Sequence, residues 1–374
     1  MAERVIVCVT NDLVIDQRVH KMCLTLQKLG YAPLLVGRRY RNSPALAPRT
    51  YATHRMHLLF RRGKLFYLEY NLRLFFFLLF RKAKRINAND LDTLLAGYWA
   101  ARWKGIPLIY DAHELFTETP ELVDRPRTRA VWLRLERWLF PKLKRVATVS
   151  QQIQDEYERR YGIRPELVRN LPRYQAPPEV DFDARRRQRI LLYQGNLKRG
   201  RGLPLMLRAM QYLPDCRLWI IGGGLWWAEM LQLAGELNLQ EPQVKFFGRL
   251  PMEELPPLTC QASIGLSVED AEASNTHFAL TNKFFDYIQA RVPVLTAAEL
   301  IAQRQVVQQY GIGQLLYHRE PEALAEAVSV ALANTDCYNL WIKNMEVAAR
   351  ALCWEKQEAI IARLYAQPKH SAAG

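Results

Sequence analysis

The sequence predicts an α/β protein built from two doubly wound parallel sheets, and three observations carry that prediction. Short apolar or β-branched runs alternate with segments of helical period along almost the whole chain. A proline-rich stretch without periodicity, residues 170 to 189, interrupts the series, which then begins afresh. The length, 374 residues, suits two domains of roughly 150 residues each, with chain enough for two sizeable cores.

In chain order, residues 4 to 10 (RVIVCVT) read as a strand, 17 to 29 as a helix stopped at Gly30, and 32 to 36 as a second strand. Strand, helix, glycine, strand opens a right-handed parallel βαβ unit. A helix near 65 to 85, a strand at 93 to 96, a helix near 98 to 103, a strand at 107 to 110, a helix near 128 to 143, a strand at 145 to 149 and a helix at 151 to 161 follow. After the break come strand 190 to 193, helix 203 to 212, strand 217 to 221, a helix near 226 to 237, strand 243 to 247 and a helix near 252 to 260. Strand 263 to 266, helix 282 to 290, strand 293 to 296 and helices from 321 onward complete the series. The expected division is a first domain over 1 to 170, a linker over 171 to 189 and a second domain over 190 to 351. A terminal helix near 352 to 368 is expected to pack back on the first. Two such domains are expected to face each other across a cleft, with ligands beyond the carboxyl ends of the strands.

Composition narrows the function classes. With 49% apolar, 11% aromatic and 24% charged residues, the chain is neither disordered nor low-complexity. Its 6 cysteines form no CxxC pair and have no histidine at zinc spacing, so a metal site and a disulfide framework are not expected. The amino terminus lacks the features of a signal peptide, so the protein is expected to stay in the cytoplasm. All of the net charge of +15 falls in residues 1 to 180, and the remainder is neutral. A one-sided basic half attracts anionic lipid, nucleic acid or an acidic polymer, and charge alone does not separate them.

Two segments carry chemistry. In YQGNLKRGRGLPL, residues 193 to 205, a strand runs through a glycine-rich cationic turn into a helix. Helix-start amides with Lys198, Arg199 and Arg201 suit a phosphate-bearing ligand, and the same residues equally describe a solvated loop. The turn is not a P-loop, and no GxGxxG follows the first strand, which weighs against triphosphate hydrolysis and dinucleotide redox chemistry. In SNTHFALTNKFFDYIQARVPVLT, residues 274 to 296, Asn282 is expected to cap a helix whose first turn carries Lys283, with Asp286 one turn further on. A cation there suits a pyrophosphate and the carboxylate a ribose diol; the alternative is an ordinary amphipathic helix.

Taken as an ordered set, DQRVHK (Asp16 to Lys21), NDLDTLLAG, YDAHELF (Tyr110 to Phe116), ATVSQQI, GNLKRGRGL, LWIIGGG, VKFFGRLP and NKFFDYIQARVPVL resemble the GT-B retaining glycosyltransferases. The likeness is to the large family 4-like group of exopolysaccharide and glycolipid type, which uses nucleotide diphosphate sugars without a metal ion. The resemblance covers nearly the whole chain. It implies that Arg201 clamps the donor pyrophosphate and that Lys283 is a second phosphate cation. It implies that Asp286 holds the ribose, in the place of the second Glu of Glu-x7-Glu, and that His113 reaches the transferred sugar. Asn196, Lys198, Arg199, Gly223, Gly248, Arg249 and Asn282 fall on the donor side. Asp16, Arg18, Glu114, Glu272, Ser274 and His277 fall on the acceptor or sugar side. Two positions depart from the pattern: Phe278 stands where the first Glu is expected, leaving Glu272, Ser274, Asn275 or His277 to replace it, and Asn196 stands where many relatives carry an Arg. His113 also reads as a core histidine.

The implied activity is transfer of a hexosyl group, from a UDP sugar by default, to a glycan or lipid-linked acceptor with retention. No cofactor beyond the donor and no nucleic-acid partner is expected. The alternatives are a nucleic-acid-binding or catalytically silent protein of the same fold, or a nucleotide-sugar epimerase. Residues 65 to 80, LFYLEYNLRLFFFLLF, are too short to span a membrane and carry Glu69, Asn71 and Arg73. With basic residues at both ends they read either as an interfacial helix on anionic lipid or as a helix packed on the sheet.

Overall fold

The first strand shows why the core sits where it does. Val5, Ile6, Val7 and Cys8 are fully buried, as a parallel strand covered by helices on both faces requires. Each of the valines and Ile6 contributes about 1.5–3 kcal/mol on leaving water. The computed structural model describes residues 2–14, 16–270 and 280–366. The chain divides into two compact units, one of residues up to Asn170 together with those from Gln357, the other Leu171–Lys356.

The first unit holds seven parallel strands: β1 (Glu3–Cys8), β2 (Tyr31–Arg39), β3 (Ala52–His57), β4 (Arg85–Asn89), β5 (Leu108–Ala112), β6 (Val146–Thr148) and β7 (Glu166–Leu167). Their order is β3-β2-β1-β4-β5-β6-β7. The second unit holds β8 (Ile190–Gln194), β9 (Arg217–Ile221), β10 (Val244–Gly248), β11 (Ile264–Ser267), β12 (Val294–Ala297) and β13 (Gly313–Leu316), in the order β10-β9-β8-β11-β12-β13. Strand order reverses beside β1 in one sheet and beside β8 in the other. In doubly wound sheets such a reversal opens a crevice at the carboxyl ends.

Several expectations are corrected. Residues 93 to 96 are not a strand but lie inside helix α3 (Leu91–Lys104), α1 being Gln17–Lys28 and α2 Gly63–Phe80. The strand is β4, RINAN, whose asparagines disguise a buried segment: Asn89 Nδ2 donates to Cys8 O at 2.9 Å and to Asn87 Oδ1 at 2.8 Å. The edge strand β3, ATHRMH, has no apolar alternation to announce it. The helix Ile301–Tyr310 and β13 also escape the sequence reading. Residues 171 to 189 are no free linker. Asp181 caps a helix, Phe182–Arg187, through the amides of Asp183 and Ala184, and the buried Arg185 donates to Ala290 O at 3.2 Å.

The chain returns to the first unit in the helix Glu355–Tyr365. There Arg85 Nε donates to Tyr365 O at 3.0 Å and Lys28 pairs with Glu358.

Candidate active site

In the second unit the site grows from the carboxyl ends of four adjacent strands. Gly195 N donates to Ile221 O at 2.9 Å and Gly222 N to Gly248 O at 2.8 Å, locking the turns after β8, β9 and β10 together. A Cβ on Gly222 would stand 1.8 Å from Gly195 O, so only glycine fits. The Arg249 side chain lies across Gly223, with Cγ 2.9 Å from where a Cβ would be, and Asn196 Oδ1 stands at 2.3 Å from the same point on Gly224. Asn196, Gly223, Gly248 and Arg249 thus share one glycine-lined rim, while Lys198 and Arg199 are exposed on the turn itself.

That turn ends on β11. Gly202, at φ +70°, presses against Val268, where a Cβ would come within 2.1 Å of the carbonyl oxygen, and Asp270 N donates to Gly200 O at 3.0 Å. The result places Arg201 Nη1 3.7 Å from Glu269 Oε1. On the same oxygen, at 2.7 Å, sits Lys283 Nζ from the helix Asn282–Gln289. The cationic turn and the helix entrance therefore meet over one carboxylate that is 1% exposed.

Four further contacts fix the arrangement. Ser267 Oγ donates to Glu269 Oε2 at 2.9 Å, Lys283 Nζ lies 4.0 Å over the Tyr193 ring, and Arg319 donates to the carbonyls of Glu269 and Val268 at 2.9 and 3.0 Å. Burial pushes the Glu269 carboxyl up, but Lys283 and Arg201 outweigh it and hold the group below its ordinary range. Burial lowers the Lys283 ammonium, which Glu269 only partly offsets. The sequence pattern does not single out Glu269, whose one signal is a position two residues past an apolar strand, within the acidic run VEDAE.

One turn along the helix, Asp286 accepts from Gln194 Nε2 at 2.9 Å, and Gln194 Oε1 accepts from Thr259 Oγ1 at 2.9 Å. Asn282 is not the cap. Thr281 holds the extended cap position and its side chain makes no capping bond, while Asn282 is already helical and exposed. The reason is backbone: a cap residue needs extended dihedrals, and here these fall one residue earlier. Glu272, Ser274, Asn275, His277 and Phe278 lie outside the described residues.

In the first unit the corresponding strand ends gather a different set. Asp16 caps α1 through Val19 N at 3.0 Å and accepts from Asn11 Nδ2 at 2.7 Å. Arg18, buried, forms a two-pronged pair with Asp111, Nη2 to Oδ1 at 2.6 Å and Nε to Oδ2 at 3.1 Å, and donates Nη1 to Val168 O at 2.8 Å. His113 stands between carboxylates, Nδ1 3.3 Å from Asp90 Oδ2 and Nε2 3.4 Å from Asp111 Oδ2, with Asn89 Oδ1 at 3.1 Å. Its backbone N–H also donates to Asp90 Oδ1 at 2.9 Å. Glu114, beside it, is half-buried and its carbonyl accepts from Tyr157.

Burial lowers the His113 pKa, but Asp90 and Asp111 prevail and raise it to about 9. The two flanking carboxylates thus favour the protonated ring over the neutral one. Burial raises Asp111, yet Arg18 and His113 hold it far below its ordinary value. Asp92, buried and near Asp90, is pushed up to about 7 despite the 2.6 Å hydrogen bond from Thr10 Oγ1. Among the described residues no cluster of three His, Cys, Asp or Glu side chains could hold a metal ion.

Residues 15–173 match the model of Glycosyltransferase Family 4, and residues 180–347 that of Glycosyl transferases group 1. Among solved structures, sucrose-phosphate synthase from Thermosynechococcus elongatus superposes with a TM-score of 0.78 at 19% identity, over 97% of this chain and 98% of that one. Anabaena HepE in complex with UDP and glucose gives 0.73 at 17% identity, over 96% and 98%. WaaG, a glycosyltransferase involved in lipopolysaccharide biosynthesis, gives 0.67 at 16% identity, over 96% and 99%. No curated protein is similar enough in sequence to match. With a family 4 first half, a group 1 second half and two parallel-sheet units of this topology, the chain belongs to the GT-B glycosyltransferases.

Proposed function

We infer that this glycosyltransferase moves a hexosyl group from a UDP sugar to a glycan or lipid-linked acceptor with retention, at the cytoplasmic face of a membrane. Polysaccharide or glycolipid assembly is the setting that fits such acceptors. One observation carries the reading: Arg201 and Lys283, from segments some eighty residues apart, meet at the carboxyl ends of the second sheet where its strand order reverses. HepE was solved with UDP and glucose, which favours uridine as the base.

The chemistry follows from the charges. As the bond from the anomeric carbon to the diphosphate oxygen breaks, negative charge grows on the leaving group. Cations already fixed in a dry site lower the barrier most, because they need no reorganisation. Lys283 is held by Glu269 and Tyr193, and Arg201 by its glycine turn, so both are preset. Glu269 keeps the pair from repelling each other before the donor arrives. The acceptor hydroxyl then bonds the anomeric carbon on the face the diphosphate leaves, and its proton passes to the departing phosphate oxygen. Asp286, held by Gln194 Nε2, would accept from the ribose hydroxyls. To reach a hydroxyl of the transferred sugar, His113 would have to exchange one of its contacts to Asp90, Asp111 and Asn89 for the substrate.

Calorimetry with UDP, GDP and ADP tests the base. An NMR assay of the product anomer tests retention. Failure of all three nucleotides to bind, or an inverted product, rejects the corresponding part.

A further inference from the structure

Arg291 breaks a local rule. It is a non-glycine residue at φ +54°, in the left-handed region, two residues past the end of the helix Asn282–Gln289, and its long side chain is 1% exposed. Backbone strain and a buried guanidinium both cost stability, and such a residue persists where its surroundings over-determine it. Its contacts show what does so here. Nε and Nη2 donate to Glu346 Oε2 at 3.0 and 2.7 Å, on the helix Thr335–Ala351, while Nη1 donates to Gln175 O at 2.8 Å and to Gln289 O. The guanidinium also lies 5.5 Å from the centre of the Tyr174 ring, whose hydroxyl donates to Glu346 Oε1 at 3.1 Å.

Gln289, the last residue of that helix and also 1% exposed, reaches the same places. Its Oε1 accepts from Gln175 N at 2.9 Å, and its Nε2 donates to the carbonyls of Ala349 and Leu352 at 3.0 and 3.1 Å. Residues 171 to 175 are the first stretch of the second unit and residues 349 to 356 its last. The two stretches are also joined directly, Trp354 N donating to Pro172 O at 2.7 Å and Tyr174 N to Glu355 Oε2 at 3.0 Å. Both passages of the chain between the units are therefore gripped, inside the second unit, by the carboxyl end of one helix. The same helix carries Lys283 in its first turn and Asp286 at its middle, and is about 12 Å long. Phe284, Phe285, Tyr287 and Ile288 bury it in the core between its two ends. A close-packed element of this kind carries a displacement from one end to the other.

We propose that Gln289 and Arg291 are positioning residues for the donor, coupling occupation of Lys283 and Asp286 to the order of both chain passages. The coupling rests on the reading of Lys283 and Asp286 as donor groups. Its two states are the bonded passages and their local opening. A diphosphate and ribose that draw on Lys283 and Asp286 hold the helix where Gln175, Ala349, Leu352 and Glu346 are all satisfied, and so favour the bonded state. Coupling of this kind is reciprocal: what the donor does to the passages, the passages do to donor affinity.

The test is amide hydrogen exchange on the full chain, with and without UDP, in the wild type and in Arg291→Gly. Glycine accepts φ +54° without strain, and Glu346 keeps Arg350 at 2.8 Å and the Tyr174 hydroxyl, so the variant is expected to fold, which urea unfolding checks. In the wild type UDP slows exchange of the Tyr174, Gln175 and Trp354 amides by about tenfold. In Arg291→Gly that response is lost and the Kd for UDP rises by about the same factor, while UDP still slows exchange at Asp270, whose N–H bonds the cationic turn at Gly200 O. A general loss of stability speeds exchange with and without UDP alike, so the ratio of the two rates separates positioning from a structural role. Should Arg291→Gly unfold, Arg291→Lys gives the same comparison, since it keeps a charge beside Glu346 but lacks the fork that spans Glu346 and Gln175. UDP binding without slowing at the three amides in the wild type overturns the proposal and leaves the donor reading intact. So does a response in the variant equal to that of the wild type. If UDP, GDP and ADP all fail to bind, the donor reading falls and the proposal with it.

Discussion

The two sheets carry oppositely charged sites in the reverse of their overall balance. The first half holds the entire positive excess, yet its strand ends gather Asp16, Asp90, Asp92 and Asp111 around Arg18 and His113. The second half is neutral, yet its strand ends set Arg201 and Lys283 over a single Glu269. Net charge therefore says little about a site, because a site is made by a few buried groups and a net charge by many exposed ones. The excess of the first half lies elsewhere, on exposed residues such as Arg39, Arg41 and Arg61.

The comparison is broken most sharply by removing one buried charge. Lys283→Met leaves Glu269 with Arg201, at 3.7 Å, as its remaining cation and is expected to cost about 3–5 kcal/mol of stability. Adding Glu269→Gln recovers most of that loss, which thermal or urea unfolding measures. If the double variant is no more stable than the single, Glu269 is not the partner that matters. For turnover, Arg201→Ala and Lys283→Ala should each lose roughly 100-fold or more in kcat, by loss of one transition-state contact. Near-normal rates in both would remove the cationic pair from the mechanism. The Lys283→Met/Glu269→Gln protein sharpens this further, being folded but slow.

On the acidic side the expected effect is smaller and depends on pH. His113 binds its proton more tightly in the fold than at its ordinary value of 6.5, with a pKa of about 9. The stability it confers is complete below pH 6.5 and fades as pH rises through 9, by on the order of 1–3 kcal/mol. His113→Gln should flatten that part of the pH–stability curve; an unchanged slope would assign the loss to other groups. The smallest change is expected at Asp286→Asn, about tenfold in the KM for the donor with kcat nearly kept, as for a contact made equally before and during reaction. A fall in kcat alone would put Asp286 in the chemical step.

Much of this arrangement could be read before any coordinates. The alternation of strands and helices is local, and local patterns survive in sequence; so do glycine turns such as Gly195 to Gly202, where a side chain would collide. Glu269 could not be found that way. Its partners lie 68 and 14 residues away, and its neighbours in VEDAE disguise it as a solvated acidic stretch. Asp90 and Asp111 were likewise invisible as a pair about His113, since only the pairing of β4 with β5 brings them together. The strand RINAN misled because its polar groups satisfy one another inside the sheet. Asn282 misled by one residue, as helix boundaries commonly do.

The return of the chain at Glu355–Tyr365 has a consequence for synthesis on the ribosome. The half that is translated first is the half that must wait. Until Glu358 and Tyr365 emerge, Lys28 lacks its ion pair and the buried Arg85 lacks one of its acceptors, so the second unit, whose residues run without interruption, can settle earlier. The first unit is thus the last to gain all of its residues, although its first strand is the first to be made.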